Sequence, residues 1–143
     1  MINVLKASAG SGKTWNLARQ YIRLLLEKRD EYSYRHILAV TFTNKATDEM
    51  KDRILKELHR LSDDPCSSGY YHDFVPSLFP DERALSEAAG TLLCNILHDY
   101  SAFAVSTIDR FFQQTLKSFA REIGHFSSYS IELDRNSLVR ESV

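Results

Sequence analysis

The chain is poor in residues that staple or break a fold. Its 143 residues include two cysteines, three prolines, five glycines and a single tryptophan. Cys66 and Cys94 are too few for a disulfide framework or a four-ligand zinc site. A reducing cytosol is the expected compartment. No run of more than four consecutive apolar residues occurs, which excludes a membrane-spanning helix. Residues 1–6 lack a basic region followed by an apolar core, so no secretory leader is expected. Repeats and low-complexity tracts are absent. A net charge of −1 leaves no general attraction for polyanions.

What is present suits one soluble globular domain: 43% hydrophobic and 26% charged residues, in a length that can bury roughly two thirds of its unfolded surface. The charge is unevenly spread. Residues 1–60 carry 12 basic against 7 acidic side chains, residues 61–104 carry 1 against 7, and residues 105–143 carry 5 against 5. A polyanion would therefore meet the first sixty residues, although helix faces that merely differ in charge give the same count.

Strand and helix patterns alternate along the chain. Residues 2–6 read as a strand running into a glycine turn, and residues 13–28 as a helix with Leu17, Tyr21, Leu24 and Leu25 on one face. Residues 36–42 form a second apolar run without alternation, as in a parallel strand buried on both faces. Residues 44–61 read as a helix with the stripe Ala46, Met50, Ile54, Leu58 and Leu61. Residues 62–80 hold all three prolines and read as a loop, but Tyr70, Tyr71, Phe74 and Phe79 argue that it packs down. A helix follows over 81–99, with Leu85, Ala88, Ala89, Leu92, Leu93 and Ile96 inward. Residues 103–105 read as a third strand and 107–123 as a fourth helix. Residues 124–130 read as a break and 131–143 as the start of another element. The alternation predicts an α/β fold with a parallel sheet and ligands beyond the carboxyl ends of its strands. The chemically distinctive segments 7–14, 41–44 and 106–109 each fall at such an end.

The first is Ala9-Gly10-Ser11-Gly12-Lys13-Thr14. Glycines let successive N–H groups curl around an anion, and the helix that follows adds its positive end. Lys13 would neutralise β- and γ-phosphates, and the Thr14 hydroxyl would ligate Mg²⁺. The strict phosphate-loop pattern has Gly where this chain has Ala7, a small residue that the loop tolerates. The second is Thr41-Phe42-Thr43-Asn44-Lys45. Thr43 and Asn44 can donate to phosphate or cap the helix, and Phe42 can stack on an unpaired base or lie in the core. Lys45, Lys51, Arg53 and Lys56 add local positive charge. In the third, Ser106 and Asp109 fit a capping box. Trp15 is read as packing locally between helix and loop, with contact to the nucleotide as the other option.

Residues 7–14, 37–54 and 105–112, in that order, resemble the first three motifs of superfamily 1 DNA helicases of the UvrD/Rep type. The forms Ala-Ser-Ala-Gly-Ser-Gly-Lys-Thr and Thr-Phe-Thr-Asn-Lys-Ala-Thr-Asp-Glu-Met are most similar to RecB/AddA-like members. The resemblance implies a three-layer, RecA-like P-loop NTPase sheet, truncated, over residues 1–123, with 62–104 as an acidic loop–helix insertion and 124–143 as the start of a following helical element. It implies ATP and Mg²⁺ at Ala9, Gly10, Ser11, Gly12, Lys13 and Thr14, with Thr14 on the metal, and single-stranded DNA along Phe42, Thr43, Asn44 and Thr107. Where the family usually has His two residues after that threonine, this chain has Asp109.

Hydrolysis needs carboxylates at the end of a buried strand. None of the pairs Asp30-Glu31, Asp48-Glu49 and Asp81-Glu82 follows a four-residue apolar strand, and nothing resembles an arginine finger or the glutamine element that reads adenine. The expectation is the front of an ATP-dependent DNA helicase of repair or recombination, inactive by itself. Its implied partners are single-stranded DNA, a second RecA-like domain and a nuclease subunit or domain, with no membrane. The alternatives are a non-catalytic module binding nucleotide or single strands, and a small P-loop kinase.

Overall fold

The computed structural model describes residues 12–123. The expected strand at 2–6, the loop residues Ala9, Gly10 and Ser11, and the elements at 124–143 lie outside the described residues. Among the described residues, the helices and strands follow in the order α1 (Lys13–Glu27), β1 (Ala39–Thr41), α2 (Asn44–Asp63), a single turn α3 (Tyr71–Phe74), α4 (Glu82–His98), β2 (Val105–Thr107) and α5 (Ile108–Glu122). The chain divides into two units, Met1–Phe111 and Phe112–Val143.

In the first unit, the apolar ridge of α2 organises the packing. Met50, Ile54, Leu58 and Leu61 recur at helical spacing and are all buried, as their spacing predicts. α2 packs on α1, on α4 and on both strands. From α4, Leu85, Ala89, Leu92 and Ile96 complete this layer, and the Asp81 carboxylate caps the helix by accepting from the Ala84 N–H at 2.9 Å.

α1 departs from expectation. Ala18, Tyr21, Ile22, Leu25 and Leu26 are buried, while Leu17 and Leu24 are half-exposed. α1 has more apolar residues than one face can hold, and the face chosen is turned by about one residue (~100°) from the expected one. The small, fully buried Ala18 lies on the chosen face. The Tyr21 hydroxyl donates to the Ile37 carbonyl at 3.1 Å, and its ring meets Phe103 edge-on, which ties α1 to the entrances of both strands.

The strands pair in parallel, Ala39 with Val105, Val40 with Ser106 and Thr41 with Thr107. The expectation of a strand buried on both faces is corrected. Ile37 is buried, Ala39 and Thr41 are half-buried, and Leu38 and Val40 are 45% exposed. This is the period-2 alternation of a sheet with one covered face. α2 covers it, and the hydroxyls of Thr41 and Thr47 bond to each other. The third expected strand also shifts, from 103–105 to Val105–Thr107. Val105 N–H bonds to the Phe103 carbonyl in a tight local turn, and the first bond to β1 is the one the Ala104 carbonyl accepts from the Ala39 N–H at 2.9 Å. Residues 62–80 pack down as their aromatics suggest: Tyr70 and Phe74 are fully buried and Phe79 nearly so.

In the second unit, Phe112, Leu116, Phe119 and Ile123 share one face of α5 by their spacing, and each is more than half exposed. Among the described residues, no helix is long and apolar enough to cross a membrane.

Leu58→Ala should destabilise the chain by about 2–5 kcal/mol, because it opens a cavity on the central ridge. Leu17→Ala should stay within about 0.5 kcal/mol. Urea unfolding of the two variants checks the assigned face of α1.

Candidate nucleotide and nucleic-acid site

α1 begins abruptly. Gly12 has φ 77° and ψ 25°, the left-handed region where a β-carbon is strained, and the helix turns from it directly into Lys13. Asn16 N–H bonds to the Gly12 carbonyl at 2.9 Å. Among the described residues, no side chain caps this end. The N–H groups of Lys13, Thr14 and Trp15 therefore belong to the open first turn, whose dipole favours an anion. Lys13 is exposed and Thr14 half-buried.

Trp15 packs into the fold, but against Tyr70, 55 positions along the chain, rather than only between its own helix and loop. Its ring meets Tyr70 edge-on at 4.8 Å between centroids, and Arg19 lies over it at 5.5 Å. A β-carbon on Gly69 would lie 3.6 Å from Trp15 Cζ2. The Tyr70 hydroxyl donates to the Trp15 carbonyl at 2.9 Å, and Arg19 pairs with Asp73 at 3.1 Å. Sequence reasoning missed this junction. The aromatics of 62–80 signalled burial but not what they would cover.

The second group lies at the carboxyl edge of the sheet. Phe42 follows β1 directly and is 88% exposed, which corrects the option of a core position. Thr43 is extended (φ −123°, ψ 153°), and its Oγ1 accepts from the Ala46 N–H at 3.1 Å, so it caps α2. Asn44 opens that helix and is exposed. On the neighbouring strand, Thr107 Oγ1 accepts from the Arg110 N–H at 3.2 Å. The expected capping box is thus corrected: Thr107 makes the capping bond, while the Ser106 hydroxyl donates to the Thr107 carbonyl. Asp109 keeps a favourable place in the first turn of α5.

Because Thr41 pairs with Thr107, these helix starts lie side by side. Each capping threonine, Thr43 and Thr107, uses its oxygen as an acceptor and, among the described residues, keeps its hydroxyl proton for a further partner. Much of the expected positive charge is engaged nearby. Lys56 pairs with Asp52 at 2.7 Å, and Lys51 lies 5.1 Å over the Tyr100 ring. Lys45 is exposed at the head of α2, 4.0 Å from Glu49.

This arrangement defines the class: a P-loop NTPase-like α/β fold with a small parallel sheet flanked by helices. Residues 2–142 match the UvrD/REP helicase N-terminal domain, and the chain belongs to that family. It is 30% identical over 158 residues to the RecBCD enzyme subunit RecB of Haemophilus influenzae, covering 97% of this chain and 12% of that protein. It is 49% identical over 67 residues to RecB of Buchnera aphidicola, covering 41% of this chain and 6% of that protein. RecB of Chlamydia muridarum is 50% identical over 54 residues, covering 38% of this chain and 5% of that protein. The chain thus spans a small fraction of the length of these relatives. No solved structure matches it.

Two buried phenols make the fold sensitive to alkali. Burial raises the Tyr21 hydroxyl well above its ordinary value of 10, and burial, followed by the charge of Glu57, raises Tyr70 to about 12. A group whose folded pKa exceeds its unfolded one contributes stability that is complete below the unfolded value and lost as pH rises through the folded one. The urea midpoint should therefore fall steadily above pH 10, and less steeply in Tyr21→Phe and Tyr70→Phe. A midpoint unchanged between pH 10 and 12 would contradict the burial of these hydroxyls.

Proposed function

We propose that the chain is the ATP-binding portion of an ATP-dependent DNA helicase of repair or recombination, working in the cytoplasm. In this reading residues 1–123 are part of a first RecA-like domain, 62–104 are its acidic insertion, and 124–143 begin a following helical element. Ala9, Gly10, Ser11 and Gly12 wrap the phosphates with backbone N–H groups. Lys13 supplies the compensating charge and Thr14 the oxygen ligand for Mg²⁺. The residues fit such a group: the left-handed Gly12, the uncapped first turn and the exposed ammonium are what a triphosphate tail requires. When bound, ATP–Mg²⁺ supplies the free energy of phosphoryl transfer. The chain's own residues bind the tail and orient it.

The single-strand track is assigned to Phe42, Thr43, Asn44 and Thr107. The observation that carries this is the register, Thr41 against Thr107, which gives one edge two helix N-termini, two threonine hydroxyl protons and an aromatic ring open to solvent. Helix starts and hydroxyls suit phosphates, and an exposed ring suits a base face. A second RecA-like domain and a nuclease subunit or domain are the implied partners. The carboxylates and arginine finger that complete hydrolysis would come from outside residues 1–143, so this chain alone should bind nucleotide without turning it over.

Lys13→Ala should weaken Mg²⁺-dependent ATP binding tenfold or more, read by fluorescence of the single tryptophan, Trp15. Equal affinities would overturn the assignment. Phe42→Ala should weaken binding of a single-stranded oligonucleotide by about 1–3 kcal/mol, or roughly 5- to 150-fold. The salt slope should be little changed, because the ring neutralises no phosphate. Unaltered oligonucleotide affinity would remove Phe42 from the track.

A further inference from the structure

We infer that Tyr70 is a positioning residue for the nucleotide site, holding the first turn of α1 from the side opposite its open N–H groups. The inference rests on the reading of Gly12, Lys13 and Thr14 as part of a phosphate cradle. Trp15 follows Thr14 directly, so a bond to its carbonyl acts on the peptide units beside the cradle. The Tyr70 hydroxyl makes that bond at 2.9 Å. Two further contacts from the same segment grip the same turns: Gly69 approaches the Trp15 ring, and Asp73 pairs with Arg19, whose guanidinium covers that ring.

Tyr70 is itself held in place. It is fully buried and packs edge-on against Phe74. Its N–H donates to Ser68 Oγ at 3.2 Å, and that hydroxyl donates to Glu57 Oε2 at 2.9 Å. Arg60 donates to the other Glu57 oxygen at 2.8 Å. The support for the head of α1 therefore runs back to the interior of α2. Because burial and the Glu57 charge keep the phenol protonated, the hydroxyl remains a donor throughout the neutral range. Loss of this bond leaves the turn in place and frees its tilt, and an anion held by several N–H groups at once is sensitive to tilt.

The test uses the full chain. Tyr70→Phe keeps the ring and removes only the donor. Ile96→Val removes one buried methyl group from α4 and serves as a mild destabilisation elsewhere. Mg²⁺–ATP and a single-stranded oligonucleotide are titrated separately, well below the unfolding temperature of each variant. Tyr70→Phe should weaken ATP binding three- to tenfold and leave oligonucleotide affinity within twofold. Ile96→Val should leave both within twofold. ATP affinity unchanged in Tyr70→Phe while Lys13→Ala loses it would overturn the inference and leave the cradle standing. An equal loss in Ile96→Val would also overturn it, because general stability would then explain the effect. Equal ATP affinity for Lys13→Ala and the unsubstituted chain would remove the cradle and the inference together.

Discussion

The arrangement of the first unit depends on burying one ridge, Met50, Ile54, Leu58 and Leu61 of α2. This ridge is long enough to be shared. α1, α4 and both strands rest against the same helix, so their mutual positions are set through it rather than by direct pairing alone. Close packing transmits such constraints because an interior with few voids has little room to adjust. The start of α2 is fixed by the Thr43 cap and by the Thr41–Thr47 hydroxyl bond. The segment following β1 is therefore held to the sheet at one end and to the core at the other.

At the carboxyl edge, a threonine cap recurs on adjacent strands. Each strand ends in a threonine-capped helix with at most two residues between, and each cap leaves neighbouring N–H groups without intrahelical partners. In a monomer those groups would be served by water. Two such ends side by side form a surface that favours negative charge without requiring many lysines, which fits the finding that Lys51 and Lys56 are already engaged nearby. Phe42 adds an apolar face that the fold itself does not use. Because a buried core position would have stabilised the chain, its exposure is the part of this edge that folding leaves unexplained.

The legible parts of the sequence were those where one period dominated. The α2 stripe could be read directly because its apolar residues fill one face and charged residues fill the rest. The α4 stripe was clear for the same reason, and the Thr43 cap was one of the options its local chemistry offered, whereas the sequence pattern places Asp81 inside the helix that it caps. α1 was ambiguous because Leu17, Tyr21, Ile22, Leu24, Leu25 and Leu26 cover more than one face, and only the neighbours decide which ridge is buried. The apolar run at 36–42 suggested two covered faces, whereas its burial depends on elements far away in sequence. The shift of the last strand turned on a local bend at Phe103 that no side-chain pattern announces. Around the candidate site, sequence reading reached only neighbours along the chain and missed the Tyr70–Trp15 junction. Its members lie 55 positions apart, and their contact is a property of the packed chain.

That junction is an uneconomical way to gain stability alone. Glu57 is nearly buried and carries a charge, and Arg53 Nε is buried without a hydrogen-bond partner. Taking such groups out of water costs several kcal/mol per ion before attraction returns any of it, and well-packed apolar side chains of similar volume often do as well or better. What an apolar cluster lacks is direction. Leucines in place of Glu57, Ser68 and Tyr70 could fill the volume, but they would leave the Trp15 carbonyl free to tilt with the end of its helix. A run of directed bonds from Glu57 through Ser68 and Tyr70 to Trp15 fixes an orientation as well as a distance. On the proposed reading of the α1 terminus as a site for a multiply coordinated anion, such orientation is what the polar run from Glu57 would supply.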